Sequence, residues 1–225
     1  ILSDFILRGA GSLDSRQLTA TLDNLGLQRG ETVGIQHLGF SGATVADRLP
    51  EVLSVYGDIL QHPHLPSEQF EASRDGLEMT LHAMQDEPRQ RLMVELRRRC
   101  FPEPWGTPTY GQLEQLPAIS AESLQAHYRQ LVRPDAAILG VAGGVDPDEV
   151  LAVVQETFGD WESRPGTVPE TGEHTPVVEH IEHDSTQTHI GIAYDAVPYC
   201  HEDYYTAWAA VGVLSGGMSA RLFTE

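Results

Sequence analysis

The sequence predicts an α+β fold, with helices packed on one face of a mostly antiparallel sheet and the same plan begun again as a second similar domain. Three observations lead there. Helical stripes and strand-like runs are mixed without the regular alternation of a parallel α/β chain. A polar, Pro/Gly-rich stretch at 162–176 separates a long first part from a short second one. The second part again opens on strand-like residues followed by a helix.

Taken in order, Ile1 to Leu7 reads as the tail of an apolar helix, stopped by Gly9 and Gly11. Leu18, Leu22 and Leu25 form a helical stripe closed by Gly26. Residues 32–45 alternate polar and apolar positions and predict a strand pair or one long strand. Leu49, Val52, Leu53, Tyr56, Ile59 and Leu60 predict an amphipathic helix, broken by His62-Pro63-His64-Leu65-Pro66. Ser67 is expected to cap a second helix carrying Phe70, Leu77, Leu81 and Met84. Pro88 interrupts it, and it resumes through Leu92, Leu96 and Cys100. A Pro/Gly/aromatic loop (101–111) and a helix at 120–131 follow. Ala136 to Ala142 reads as a buried strand. Asp146 as cap and Pro147 at the first helical position open a helix with Val150, Leu151, Val153, Val154 and Phe158. Residues 177–196 read as two strands, 203–214 as an apolar helix, and a new helix begins beyond Gly216-Gly217.

Composition excludes several classes. The chain has 225 residues, with 33 Asp+Glu against 14 Lys+Arg and a formal charge of −19; every one of its basic residues is Arg. Such a chain has no electrostatic footprint for nucleic acid or an anionic membrane. No apolar run approaches the roughly 20 residues of a membrane span. A soluble protein is expected, in cytoplasm or periplasm. Two cysteines, Cys100 and Cys200, make no disulfide framework. The acidity is uneven: residues 1–133 hold 17 acids and 12 Arg, residues 134–225 hold 16 acids and 2 Arg. A heavily hydrated surface accounts for that distribution, and a cationic partner is the sharper alternative.

Chemistry is sparse by motif alone. Glu179-His180-Ile181-Glu182-His183 has H-x-E-H spacing in a strand-like segment, where residues three apart point to opposite faces. That is not the helical two-His arrangement of a zinc peptidase. His62-Pro63-His64 lies in a helix–helix loop, and His127 and His189 are isolated. Gly39-Phe40-Ser41-Gly42 lacks nucleophile-elbow spacing. Gly140 to Gly144 follows a strand pattern and precedes a helix, without the spacing of a dinucleotide or phosphate loop.

Several segments taken together resemble the pitrilysin/insulinase metallopeptidase family, the inverzincins, and more narrowly its mitochondrial-processing-peptidase-like bacterial branch. Ser3-Asp4-Phe5-Ile6-Leu7-Arg8-Gly9-Ala10 resembles the end of the family's zinc helix and the following F-[KR]-G-T. Leu18 to Gly26 resembles its next helix, and Phe40-Ser41-Gly42 its next strand. Gln61 to Pro66 is similar to N-P-x-F-P, Asp86-Glu87-Pro88 to D-D-P, and Pro104 to Gly111 to P-x-G-x-P-x-x-G. Arg133-Pro134-Asp135 and Gly140 to Gly144 match a P-x-N strand start and a G-G-V turn. Leu214 to Phe223 matches L-G-G-G-x-S-S-R-L-F of the family's second domain.

The resemblance implies a first peptidase-like domain over 1–165, lacking its first strands and most of its zinc helix, and the start of a second homologous domain over 176–225. The family carries zinc on H-x-x-E-H and a further Glu on the long downstream helix. Mapped through Gly9, the motif Glu falls on Ser3 and the second His on Asp4, with the first His before Ile1. The downstream Glu falls near Thr80; Glu78, two residues away, is turned about 200° around a helix. With these positions replaced, no catalytic residue, metal ligand or cofactor is expected of this chain, and its peptide-binding residues are not identified. The resemblance then implies a non-catalytic, peptide-binding member partnered by a zinc-bearing homologous subunit or a second copy of itself. Its acidic wall would favour basic peptides. Two alternatives are a structural assembly subunit and an active zinc metalloendopeptidase with divergent ligands.

Overall fold

The computed structural model describes residues 1–166, 169–173, 178–182 and 186–224. They form two compact units, Ile1–His189 and Ile190–Glu225. The fold is α+β, helices accompanied by small antiparallel sheets.

In the first unit, α1 (Leu2–Phe5) leads into the two-residue strands β1 (Gly9–Ala10) and β2 (Leu13–Asp14), and then α2 (Ser15–Asn24). Gly11 takes a φ of 56°, the left-handed turn that lets β1 reverse onto β2. Asp14 accepts from the Gln17 backbone N–H at 2.8 Å, and the Gln17 side chain accepts from the Asp14 N–H at 3.0 Å. This reciprocal capping box starts α2, whose Leu18 and Leu22 are buried.

The alternating stretch after α2 is a hairpin. Its strands β3 (Gln28–Val33) and β4 (Leu38–Ala43) pair antiparallel, from Gln28 opposite Ala43 to Val33 opposite Leu38. Tyr56 donates its hydroxyl to the Ser41 carbonyl at 3.2 Å, and Thr44 donates to the Leu25 carbonyl at 2.9 Å, fastening the hairpin to its neighbours.

The helices follow as expected: α3 (Leu49–Gln61), α4 (Phe70–Gln85), α5 (Pro88–Cys100), α6 (Ala121–Leu131) and α7 (Pro147–Phe158). Ser67 does not cap α4. It opens a short 3-10 turn, Ser67–Gln69, that feeds the helix without a side-chain capping bond. One cluster of buried side chains joins these elements: Phe5 and Ile6 from the first turn, Leu18 and Leu22 from α2, Val52 and Ile59 from α3, Phe70 from α4, Leu124 from α6. Each such side chain contributes about 1.5–3 kcal/mol on burial.

Two strand expectations fail among the described residues. Pro134–Ala136 is a 3-10 turn, and the run from Ala137 to Ala142 joins no described strand, with Ile138 97% exposed. A strand exists only through a neighbour's backbone groups, and no described strand lies beside this run. Residues 178–182 and 186–196 likewise hold no strand; the rest of the stretch read as two strands lies outside the described residues.

The second unit holds α8 (Tyr204–Ser215) and α9 (Arg221–Thr224). Tyr204 stacks edge-on with Tyr199 and Tyr205 at ring separations of 4.8 and 5.4 Å. No helix among the described residues is long and apolar enough to cross a membrane.

Candidate functional site

The positions singled out by the resemblance lie on α1 and α4, which pack together. Phe5 meets Phe70 edge to face at 5.8 Å and 78°. One residue earlier on α1, Asp4 Oδ2 accepts a 2.5 Å hydrogen bond from the hydroxyl of Ser73, a buried residue one turn along α4. The same oxygen accepts from Arg8 Nη2 at 2.8 Å and Nε at 3.2 Å. Arg8 lies past the end of α1, in the bend before β1, and its side chain reaches back to that oxygen.

Thr80 stands seven residues beyond Ser73, two turns of helix, so both fall on one face of α4. Its hydroxyl donates to the Gly76 carbonyl at 2.9 Å. Glu78 points elsewhere and lies 3.9 Å from His82 along the outside of α4. Zinc in a peptidase site takes imidazole, thiolate or carboxylate donors, three from the protein with one open position. Ser3, Asp4 and Thr80 offer two hydroxyls and one carboxylate, and that carboxylate already holds a guanidinium and a hydroxyl. The set does not fit zinc. Among the described residues, no group of three or more His, Cys, Asp or Glu side chains is placed to hold a metal ion.

The remaining sequence candidates take local roles. His64 Nε2 lies 2.7 Å from the Gly11 carbonyl and must donate there, since a carbonyl only accepts. The His64 backbone N–H donates to Gly9 at 2.9 Å, and Ala10 bridges to Pro63. The broken loop His62-Pro63-His64 is therefore a third segment laid along β1. Glu179 is bound by Arg99 at 2.5 Å, and His183 lies outside the described residues. That bond holds the Glu179 carboxyl below its ordinary pKa and raises that of the guanidinium. His127 and His189 are exposed. Asp146 accepts from the N–H groups of Asp148 at 2.8 Å and Glu149 at 3.3 Å. A carboxylate thus fills the helix end after Gly140–Gly144, where a phosphate would have to sit.

Sequence reasoning missed Ser73 and Arg8. For Arg8 the signal was present as Asp4 and Arg8 at helical spacing; Ser73 is a contact between distant residues with no local signature.

A second concave feature lies between α3 and α7, an open groove of about 620 Å³ lined by Glu51, Asp58, Gln61, His62, Glu156 and Thr157, among others. Gln61 crosses it to donate to the Thr157 carbonyl at 2.9 Å.

Residues 118–225 match the family described as the peptidase M16 inactive domain. A protein of Mycobacterium bovis named as an uncharacterized zinc protease is 21% identical over 100% of this chain and 53% of its own length. The β subunit of the mitochondrial processing peptidase of Saccharomyces cerevisiae is 20% identical over 95% of this chain and 48% of its own. The chain thus spans about half the length of the curated relatives it matches. The crystal structure of a peptidase M16 inactive domain from Pseudomonas fluorescens superposes with a TM-score of 0.79 at 14% identity, covering 100% of this chain and 56% of that one.

Proposed function

We propose that the chain, whose residues 118–225 match the peptidase M16 inactive domain, is a member of that family and serves as a non-catalytic, peptide-binding subunit whose zinc positions, Ser3, Asp4 and Thr80, have been replaced. The observation that carries this reading is the state of Asp4. Its carboxylate is engaged by Arg8 and Ser73, while the other two replaced positions, Ser3 and Thr80, bring only hydroxyls. Without a carboxylate at the position of Ser3, nothing there can take a proton from an attacking water.

The partner in this reading is a zinc-bearing homologous subunit or a second copy. The subunit named in the yeast relative supports it, as does the exposed apolar run of residues 138–141, which pairs with no strand among the described residues and has backbone groups to offer to a strand of another chain. The peptide is expected to be basic, since the 134–225 part is so acidic. Residues 1–165 and 176–225 are read as one homologous domain and the beginning of its repeat.

Relatives named as zinc proteases favour a second reading, an active metallopeptidase with divergent ligands. Metal analysis of the purified protein together with a peptide-cleavage assay decides between them. Metal-free protein that binds but does not cut peptide supports the first reading; stoichiometric zinc with turnover ends it. Equal affinity for acidic and basic peptides at low salt removes the expectation of basic specificity.

A further inference from the structure

We infer that Asp4, Arg8 and Ser73 form a metal-independent clasp between α1 and α4, in which Arg8 brings to Asp4 the positive charge that a bound cation would otherwise bring. The inference rests on Asp4 standing at a lost ligand position, as proposed above.

One oxygen, Asp4 Oδ2, is the common acceptor for the Ser73 hydroxyl at 2.5 Å, Arg8 Nη2 at 2.8 Å and Arg8 Nε at 3.2 Å. An exposed ion pair four residues apart adds little to stability by itself. Here the pair is fastened to another helix sixty-nine residues away. Ser73 is buried, so its hydroxyl has lost water and depends on the carboxylate for a partner. A hydrogen bond to an ionised acceptor is stronger than a neutral one. The guanidinium adds two further donors, Nη2 and Nε, to the oxygen that the Ser73 hydroxyl already holds. Phe5 against Phe70 runs alongside, so a polar bond and an aromatic contact close the same seam. A cation entering at Asp4 would have to displace both Arg8 and Ser73 from that oxygen, and the other two replaced positions, Ser3 and Thr80, would bring it only hydroxyls. The clasp links two helices in the folded state, as a bridging metal does, and needs nothing from solution.

The test is thermal unfolding of the natural protein and of Asp4→Ala, Ser73→Ala, Arg8→Gln and their pairwise combinations, with EDTA and with added zinc chloride. Neither EDTA nor zinc should move the Tm of the parent protein. Each single substitution should lower it by about 2–6 °C. Paired substitutions should fall short of the sum, because they remove bonds to one shared oxygen. Should Asp4→Ala not fold, the Ser73→Ala and Arg8→Gln cycle reads the same coupling. Strictly additive losses in a metal-free, non-cleaving protein overturn the clasp and leave the proposed function standing. A Tm that falls with EDTA and returns with zinc overturns both.

Discussion

Gln125 on α6 donates its side-chain amide to the carbonyl of Leu65 at 2.9 Å, and Leu65 is the one non-glycine residue with positive φ, 45°, among the described residues. A branched side chain in that region of backbone space costs free energy. Two things hold it there: burial of the Leu65 side chain and the bond from Gln125. Tyr128, one turn along α6, donates to the Leu60 carbonyl at 2.9 Å, so α6 grips the loop at both ends. Gln125→Ala is expected to lower unfolding stability by about 1–2 kcal/mol. Gln125→Glu should cost at least as much, because it has no donor to give. Chemical denaturation of both variants checks this, and an unchanged midpoint for either would remove the role assigned to the amide.

Gly57 on α3 faces Thr157 on α7. A Cβ there would overlap the Thr157 methyl group. Helix propensity alone makes Gly57→Ala stabilising by about 1 kcal/mol. Overpacking costs about 1–3 kcal/mol and should win, shifting α7 and stretching the Gln61 bond to Thr157. Adding Thr157→Ser deletes the methyl and should return the protein to parent stability or above. Comparison of the three proteins by thermal unfolding reads the sign directly; a stabilised Gly57→Ala would show that α7 yields freely.

Local pattern carried most of the helices into view. The stripe of Leu18 and Leu22, the apolar face of α3 and the Asp146-Pro147 start of α7 depend on neighbours within a few residues, and each stands where the spacing put it. The run from Ala137 to Ala142 has equally strong strand composition, yet its state depends on a partner strand that composition cannot supply. Ser67 misled for a related reason: its residue type suits a cap, but Pro66 feeds a 3-10 turn first. At the candidate site, Ser3, Asp4 and Thr80 could be located by resemblance. The bond from Ser73 to Asp4 could not, because a single serine on a helix carries no sign of which distant carboxylate it will meet.

The cap on α7 offers a simpler check. Asp146 alone accepts from two N–H groups of the first turn, and α7 buries no residue fully. Such a helix depends on its ends. Asp146→Ala should cost about 0.5–2 kcal/mol, and Asp146→Ser should recover most of it. Hydrogen exchange should rise first at Asp148, Glu149 and Val150. Exchange unchanged there in Asp146→Ala would mean that packing on α3 holds the first turn unaided.

Acid should release a specific tie before the fold is lost. Asp135 accepts from the Ser163 hydroxyl and from the Arg164 backbone N–H, the latter at 2.7 Å. The Ser163 bond, then the Arg164 bond, hold the Asp135 carboxyl below its ordinary range, with a smaller favourable effect from the charge of Arg133. A carboxyl depressed in the folded state binds its proton more readily in the unfolded one. Its stabilising contribution is therefore complete above the unfolded value of about 3.9 and is lost as pH falls through the folded value. Glu179 behaves in the same sense through its bond from Arg99. Side-chain carboxyl NMR should place the Asp135 midpoint below those of solvent-exposed aspartates. Protection of the Arg164 amide, corrected for intrinsic exchange, should drop over that same acid interval. Asp135→Asn should flatten the drop, since the amide does not titrate, and Arg164 should then show the same protection on both sides of it. A parent protein whose Arg164 amide keeps its protection through the Asp135 midpoint would show that the carboxylate does not hold this turn.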